Sequence, residues 1–395
     1  MIGIFTFHNQ LNYGGVLQAV ALFRALGTLT GDVRFADFRC KEANLSRRRH
    51  SNALWALYEL SNRGREAIGS LVWPGSFAAY VRRRARTKSF LREECPVFGP
   101  TIRDADETAL LPFETVIVGS DQVWNPNTPL THRTCLLPAA PTTTKKYSYA
   151  ASLGAPAIPE KLKPFFEDSI RAFRCASVRE PSSVPVVEEL VGPDVPVRWD
   201  VDPTLLLDRA GWDGIARRPD RSDEPYTAIY WLGGSSDLER VVSALPADRR
   251  IVLLTNWDGM LARFFVSGKE RVLLGSFRDF VRKRGIEARI DAGPREFLGW
   301  IRNADDVVTN SFHGMVFSAL FHRPVRLVAE TSGKRAPQRA RIVDFADRYG
   351  LSGGLGTAEA LSERTASDFS KFDETVQSDR ARSMNYLRSI VSGDI

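Results

Sequence analysis

The sequence predicts an α/β protein with two parallel sheets, and three observations lead to this fold class. Short apolar segments rich in β-branched residues alternate with longer segments whose apolar residues recur at helical spacing. Such alternation is typical of parallel strands joined by helices. The alternation starts again near residue 196, and the 395 residues exceed the length at which a single core usually stops growing. We therefore expect two α/β domains.

Five short, mostly apolar segments of the first half are predicted to be strands. They are IGIFTF (2–7), VRFADF (33–38), ETVIVGS (114–120), KYSYAASLG (146–154) and CASVRE (175–180). A helix is predicted directly after the first strand, because NYGG (12–15) breaks the strand and the apolar residues of 16–29 have helical spacing. Strand and helix together form one βα unit.

The second half repeats this pattern. Its predicted strands are PVRWDVDPTLLL (196–207), YTAIYWLGG (226–234), RIVLLTN (250–256), DDVVTN (305–310) and PVRLVA (324–329). We expect a first domain over residues 1–190, a second over 191–367, and a long closing helix within 368–395.

Composition and charge exclude several classes of protein. Hydrophobic residues make up 43% of the chain, which is ordinary for a globular protein and argues against disorder. No apolar run reaches the roughly 18 residues of a membrane span, and the first residues lack the pattern of a secretory signal. A cytoplasmic location is therefore expected. The formal net charge of +7 suits anionic ligands or an anionic surface.

Much of the positive charge lies in residues 46–90, next to aromatic residues. Arginines 47–49 and 82–84, with Trp55 and Trp73, fit peripheral contact with the inner membrane face. Charge runs of this length are more commonly the solvated face of helices packed on a domain, and the segment fits that interpretation too. No nucleic-acid-binding module accompanies them, so no nucleic-acid partner is expected.

Polar and ionisable residues follow the predicted strands directly. Ligands of open α/β sheets bind beyond the carboxyl ends of the strands, so these loops are the first place to look for a site. The loops are HNQLNYGG (8–15), GSDQVWNPN (119–127), SVREPSS (177–183), WLGGSS (231–236) and TNSFHG (309–314).

Two of these loops carry the strongest candidates, and each allows two interpretations. Arg179 either pairs with Glu180 or holds a carboxylate or phosphate bidentately. His313 is either a histidine at a helix start capped by Ser311, or a proton donor or phosphate contact beside helix amides. The GSDQVWN loop also allows two interpretations: Ser120 or Asp121 caps a helix while Trp124 packs in the core, or the loop contacts a ligand.

Other kinds of site lack sequence support. The five histidines and four cysteines show no metal-ligand spacing, so neither a metal nor a cofactor is expected. Elbow motifs of hydrolases, P-loops and dinucleotide-binding glycine motifs are absent from the sequence.

Taken in order, the loops resemble those of the polysaccharide pyruvyl transferase family. The matching stretches are FTFHNQLNYGGVLQAVALFRAL (5–26), VIVGSDQVWNP (116–126), SYAASLG (148–154), ASVRE (176–180), VDPTLLL (201–207) and TNSFHGMVFSALFHRPV (309–325). The resemblance implies a fold like that of GT-B glycosyltransferases, with two Rossmann-like domains facing a cleft. It also implies transfer of a carboxyvinyl unit from phosphoenolpyruvate to two sugar hydroxyls, which makes a pyruvate ketal and releases phosphate.

The resemblance extends to individual residues. Arg179 resembles the family's donor-binding arginine, and His313 resembles the histidine that contacts the donor or acts as general acid. The first domain would be the acceptor side and the second the donor side. The other substrate-binding residues expected are Asn12, Tyr13, Gln18, Asp121, Trp124, Ser311, Arg339 and Arg341.

The expected acceptor is a nucleotide- or lipid-linked sugar or oligosaccharide, used in making extracellular polysaccharide or a cell-surface glycan. Two alternatives remain open at this point. One is a GT-B-like glycosyltransferase with a nucleotide-sugar donor, and the other is a non-catalytic glycan- or anion-binding protein on the same fold.

Overall fold

The computed structural model divides the chain into two compact units. It describes residues 1–39, 76–128, 131–221, 223–232, 235–255, 279–328, 336–357 and 365–395. Unit 1 comprises residues 1–48, 91–208 and 374–395, and unit 2 comprises residues 49–90 and 209–373.

Unit 1 contains a parallel sheet of seven strands in the order β3-β2-β1-β4-β5-β6-β7. The strands are β1 (Ile2–Phe5), β2 (Val33–Phe38), β3 (Val97–Ile102), β4 (Thr115–Val118), β5 (Lys145–Ser148), β6 (Phe173–Val178) and β7 (Val197–Trp199). The strand order reverses between β1 and β4. The loops that follow these two strands leave in opposite directions, which opens a crevice at their carboxyl ends.

Unit 2 repeats this topology with the order β10-β9-β8-β11-β12-β13, again parallel throughout. The strands are β8 (Thr227–Trp231), β9 (Ile251–Thr255), β10 (Glu287–Ala288), β11 (Asp306–Thr309), β12 (Val325–Val328) and β13 (Leu355–Gly356). Here the order reverses between β8 and β11. The predicted α/β class with two parallel sheets is confirmed.

Helices connect the strands. They are α1 (Tyr13–Gly27), α2 (Ser76–Glu94), α3 (Thr131–Cys135), α4 (Lys163–Ile170), α5 (Val184–Val191), α6 (Arg209–Asp213), α7 (Ser235–Ser243), α8 (Pro294–Arg302), α9 (Phe312–Leu320), α10 (Ala336–Arg348) and α11 (Ser370–Ser392). Helix α1 begins where the side chain of Asn12 accepts a hydrogen bond from the amide of Gly14 at 3.2 Å.

The central strands are buried on both faces, as expected for parallel sheets covered by helices. All five residues of β8 and of β9 and all four of β11 are buried. This burial explains why these segments read as nearly continuous apolar runs rather than alternating ones. Each fully buried Val, Leu or Ile side chain contributes about 1.5–3 kcal/mol to stability.

The division into units differs from the predicted boundary at residues 190–191. Strand β7 pairs in parallel with β6, so residues 191–208 belong to unit 1. The closing helix exists as α11, most of which belongs to unit 1. There the hydroxyl of Tyr386 donates to the carbonyl of Ser148 at 2.9 Å, and Ser383 accepts from the amide of Val201 at 3.2 Å.

The basic segment is described only from residue 76 onward, so residues 46–75 lie outside the described residues. Within α2, Arg83 is buried and donates to the carbonyl of Thr255 at 3.2 Å, whereas Arg82 and Arg84 are exposed. Arg83 is thus withdrawn from any lipid surface. Among the described residues, no helix combines the length and apolar character needed to cross a bilayer.

Candidate active site

In unit 1, the loop after β4 brings a carboxylate to the carboxyl end of the sheet. Asp121 adopts a φ of +67°, a conformation that Asp and Asn tolerate better than most residues. It forms a parallel bridge with Ala151, which in turn bridges Val178 at the end of β6. Through these two bridges, Asp121 lies beside Ala151, and Ala151 lies beside Val178, the residue that precedes Arg179.

Gln18 ties the two central strands of unit 1 to α1. Its amide nitrogen donates to Thr6 Oγ1 at 3.0 Å and to the carbonyl of Gly15 at 2.8 Å, and its oxygen accepts from the amide of Ser120 at 3.0 Å. Gln18 has no exposed surface. It therefore positions the loops after β1 and β4.

Replacing Gln18 with methionine should lower the free energy of unfolding by about 2–4 kcal/mol, because the amide of Ser120 and the hydroxyl of Thr6 would lose buried partners. Urea unfolding of unit 1, followed by hydrogen exchange at Ser120, measures this. A midpoint equal to that of the wild type would contradict the role.

Arg179 lies at the centre of a buried ion cluster. Its Nη1 is 2.8 Å from Asp202 Oδ2 and 3.9 Å from Asp121 Oδ1, and its Nε is 3.3 Å from Glu180 Oε1. Ser152 also donates to Glu180 Oε1 at 2.6 Å. Burial alone would lower the pKa of Arg179, but the charges of Glu180, Asp202 and Asp121 outweigh it and raise that pKa above its usual value.

A buried histidine follows β1. The Nδ1 of His8 is 3.2 Å from the carbonyl of Thr6, and its ring lies 5.1 Å from that of Phe35. Burial is the main cause that lowers the pKa of His8, and the charge of Arg39 also lowers it, while the Thr6 bond and Asp37 oppose the shift. His8 is therefore neutral in the folded protein at neutral pH.

This shift predicts a pH dependence of stability. Because the folded pKa is lowered, both states are neutral above the ordinary histidine pKa of about 6.5, and no stability is lost there. As the pH falls below that value, the unfolded state binds a proton that the folded state does not, so stability decreases. The urea midpoints of the wild type and of His8→Gln are compared from about pH 7.5 to about pH 5, around that pKa. As the pH falls, the midpoint should decrease less in the variant than in the wild type. Parallel curves would contradict the assignment.

In unit 2, the loop after β11 places a histidine in the first turn of α9. The side chain of Asn310 accepts from the amide of Leu232 at 2.9 Å and donates to its carbonyl at 2.8 Å, which joins the ends of β11 and β8. Ser311 caps α9 by accepting from the amide of Gly314 at 3.5 Å. His313 follows in the first turn and is 8% exposed.

Gly314 permits this close packing. A Cβ at this position would lie 2.3 Å from Thr309 Oγ1 and 3.0 Å from the ring of Tyr230, so a larger residue would displace α9 from the strand ends. The amino end of α9 is thereby held against β11, with its backbone amides and His313 at the carboxyl end of the sheet. Such an end attracts anions.

Helix α10 packs against α9 and carries an arginine. The rings of Phe312 and Phe345 lie 5.3 Å apart in an edge-to-face contact. Arg341 precedes Phe345 by four residues and so shares its face of α10. Its side chain is partly buried. The side chain of Arg339 lies outside what the structure describes.

Residues 12–332 match the sequence model of the polysaccharide pyruvyl transferases, a span that includes the loops after β1, β4, β6 and β11. The chain belongs to the polysaccharide pyruvyl transferase family. The predicted family is thereby confirmed. No curated protein sequence matches the chain.

Several solved structures resemble this pyruvyl transferase family member at low sequence identity. A UDP-GlcNAc 2-epimerase from Methanocaldococcus jannaschii is 11% identical, with 98% of this chain and 99% of that chain covered and a TM-score of 0.46. The S. aureus MnaA–UDP structure is 11% identical, with 99% of this chain and 97% of that chain covered and a TM-score of 0.49. The E. coli ADP-heptose LPS heptosyltransferase II structure is 10% identical, with 99% of each chain covered and a TM-score of 0.36. Likenesses at this level bear on neither substrate nor mechanism.

The pyruvyl transferase fold gathers some predicted site residues and closes off others. Arg179 and Asp121 come together in unit 1, and Ser311 and His313 come together in unit 2. Asn12 is partly buried at the α1 cap. The structure supports the core interpretation of the loop tryptophan, because Trp124 is fully buried 5.6 Å from the ring of Phe173.

Two other residues expected on the acceptor side are also closed off from solvent in this family member. Gln18 is fully buried, where it hydrogen-bonds to Thr6, Gly15 and Ser120. Tyr13 is only 1% exposed. Neither side chain is available to a substrate in this conformation.

Sequence reasoning missed two residues of the candidate site, Asp202 and Asn310. Asp202 pairs with Arg179 and accepts hydrogen bonds from the amide and hydroxyl of Thr204, at 3.0 and 2.7 Å. An Asp before Pro and Thr after a strand is a turn-capping signal that marks it. Asn310 was visible only as a loop residue, whereas Glu180 was named as a possible partner of Arg179 and does pair with it. Among the described residues, no group of three or more His, Cys, Asp or Glu is arranged to hold a metal ion.

Proposed function

We propose that the protein transfers a carboxyvinyl unit from phosphoenolpyruvate to two hydroxyls of a sugar, forming a pyruvate ketal and releasing phosphate. Membership of the pyruvyl transferase family supports this reaction class. The observation that carries the proposal is His313, a largely buried histidine in the first turn of α9 at the carboxyl end of β11.

The chemistry requires a proton donor and a place for negative charge. Protonation of C3 makes C2 of phosphoenolpyruvate electrophilic, and a hydroxyl oxygen then bonds to C2. His313 is the proposed donor of this proton. A second hydroxyl displaces phosphate from C2 and closes the ketal. Of the two protons that the hydroxyls lose, one is balanced by the proton gained at C3 and one leaves with phosphate.

Phosphoenolpyruvate carries a carboxylate and a phosphate, so its site needs positive charge. The backbone amides at the start of α9 and the Arg341 guanidinium supply it in unit 2. Ser311 adds a hydroxyl at the helix cap. Unit 2 is therefore the proposed donor side and unit 1 the proposed acceptor side, with Asn12 and Asp121 the acceptor residues that retain some exposure.

The proposed acceptor is a nucleotide- or lipid-linked sugar or oligosaccharide, and its product would enter extracellular polysaccharide or cell-surface glycan. The proposed cellular place is the cytoplasm, with reversible contact at the inner membrane face where a lipid-linked acceptor would lie.

Phosphate release and label transfer test the function directly. Purified protein is mixed with ¹⁴C-phosphoenolpyruvate and a panel of nucleotide-linked sugars, lipid-linked sugars and methyl glycosides that carry free 4,6-diols. We expect phosphate release and acid-labile label on at least one sugar. Release of a nucleoside diphosphate without phosphoenolpyruvate would instead indicate a glycosyltransferase, and binding of sugars without turnover would indicate a non-catalytic protein.

A further inference from the structure

We propose that unit 2 carries an anion site outside the candidate active site, where Arg209, Arg302 and Arg323 bind a phosphate group, either free or in a lipid headgroup. Arg302 and Arg323 lie at the amino ends of β11 and β12, whereas His313 lies at the carboxyl end of β11. Strand β11 has four residues and so spans about 13 Å. The site is therefore separate from the candidate active site and does not depend on the proposed reaction.

Two of the arginines precede neighbouring strands of the sheet. Arg302 is the last residue of α8, shortly before β11, and Arg323 lies just before β12. The two strands pair in parallel, and the amide of Val307 donates to the carbonyl of Pro324 at 2.8 Å. Because adjacent parallel strands begin at the same edge of a sheet, both arginines lie along that edge.

Helix α6 brings the third arginine to this edge. Asp213 Oδ1, at the end of α6, lies 2.7 Å from Arg302 Nε. Arg209 is one turn earlier in α6 and so shares the face of Asp213. Trp212 of α6 contacts Phe317 of α9 edge-to-face, with the ring centroids 4.9 Å apart. These contacts hold α6 against the end of α8 and against α9, the helix that leads into β12.

The guanidinium of Arg323 has a donor that the fold does not use. The side chain is partly buried, and its Nε is buried without a hydrogen bond to any residue that the structure describes. The backbone is fixed, since the amide of Arg323 donates to the carbonyl of Ser318 at 2.8 Å. Buried polar groups are normally satisfied, so a guanidinium left in this state suits a ligand that accepts hydrogen bonds, and phosphate is such a ligand.

Two carboxylates at this edge already have arginine partners. Asp213 lies beside Arg302, and Asp305 accepts from Arg249 Nη2 at 2.8 Å. Neither carboxylate is therefore free to neutralise the other two arginines of the site. The Arg302 side chain is 34% exposed, so the edge is open to a ligand from solvent.

The pKa of Arg323 agrees with a surplus of positive charge here. Burial is the main cause that lowers this pKa, and the charges of Arg209 and Arg302 lower it further. Tyr226 and Asp305 oppose the shift. The three arginines thus lie within range of one another's charges, and a bound phosphate dianion would relieve their repulsion.

Hydrogen exchange of the full-length protein during titration with inorganic phosphate tests the site. We expect phosphate to slow exchange at the amides of residues 209–213 and 321–326 in the wild type. Arg323→Gln should raise the half-saturating phosphate concentration at least about tenfold, because it removes a charged hydrogen-bond donor. Arg323→Lys should also raise it, since lysine lacks the planar fork.

Arg240→Gln is the matched control, because Arg240 is exposed on α7 and pairs with Asp237 of the same helix. Its response to phosphate at both segments should equal that of the wild type. His313→Gln should also respond normally there, which separates this site from the candidate active site. Without phosphate, the free energy of unfolding of Arg323→Gln should not fall below that of the wild type, because the fold leaves the guanidinium unsatisfied.

Co-sedimentation with vesicles identifies the source of the phosphate group. Mixed vesicles of phosphatidic acid and phosphatidylcholine are compared with phosphatidylcholine alone. Sedimentation that requires phosphatidic acid and is lost in Arg323→Gln, without a response to free phosphate, would assign the site to a lipid headgroup. The site would be overturned if the wild type responds to neither probe, if Arg323→Gln responds like the wild type, or if that variant is strongly destabilised without phosphate.

Discussion

Replacing His313 with glutamine is expected to lower kcat by about 10²–10⁴-fold, because glutamine offers an amide at a similar position but no proton of suitable acidity for C3. Binding of phosphoenolpyruvate should persist, since the amides at the start of α9 and Arg341 remain. Steady-state phosphate release gives kcat, and calorimetric titration with phosphoenolpyruvate gives the affinity.

His322→Gln is the control for this change. His322 lies just beyond the other end of α9, is partly exposed, and pairs with Asp373 at 2.9 Å. That variant should turn over like the wild type. If His313→Gln kept normal saturating turnover but bound phosphoenolpyruvate poorly, His313 would be a binding residue rather than a proton donor.

Replacing Arg179 with methionine should lower the free energy of unfolding by about 3–5 kcal/mol, because it removes the guanidinium that pairs with the buried carboxylates of Asp202 and Glu180. Arg179 is 5% exposed, and Asp202 is 3% exposed. Asp202 and Glu180 would be left as buried charges without their counter-ion. Urea unfolding at neutral pH measures the loss, and part of it should be recovered at lower pH, where the carboxylates are neutral.

Arg24→Met is the comparison for this variant. Its guanidinium also bridges a carboxylate, that of Glu94 at 2.8 Å, but the arginine side chain is 37% exposed. The loss there should be about 1 kcal/mol or less. Equal losses in the two variants would show that the three-carboxylate cluster contributes no more than an ordinary surface pair.

The sequence predicts the central strands of both sheets well and their edges poorly. Strands β4, β8, β9 and β11 are buried apolar runs, so composition alone marks them. Strand β3 was not predicted, because VFGPTI is mostly exposed and contains Gly and Pro. Strands β10 and β13 have two residues each. Strand β7 was assigned to the second domain, because its pairing with β6 is a long-range contact that no local pattern reveals.

The candidate site shows a similar division. Polar loops after strands were correctly located because parallel strands place their carboxyl ends together. The contacts of individual residues could not be predicted, because their partners lie far away in the sequence. Asp202 reaches Arg179 from 23 residues away, and Gln18 reaches Ser120 from 102 residues away. Neither contact leaves a periodic signal in the sequence.

The discontinuous makeup of unit 1 has a consequence for synthesis on the ribosome. Residues 374–395 belong to unit 1 but are translated after all of unit 2. Arg380 donates to the carbonyl of Leu205 at 2.5 Å, and Tyr386 donates to that of Ser148, so one turn and one strand of unit 1 make contacts with the last helix that form only after unit 2 is synthesised. Unit 2 is therefore the first unit whose chain is complete during translation. A nascent protein stalled before residue 370 carries a unit 1 without α11.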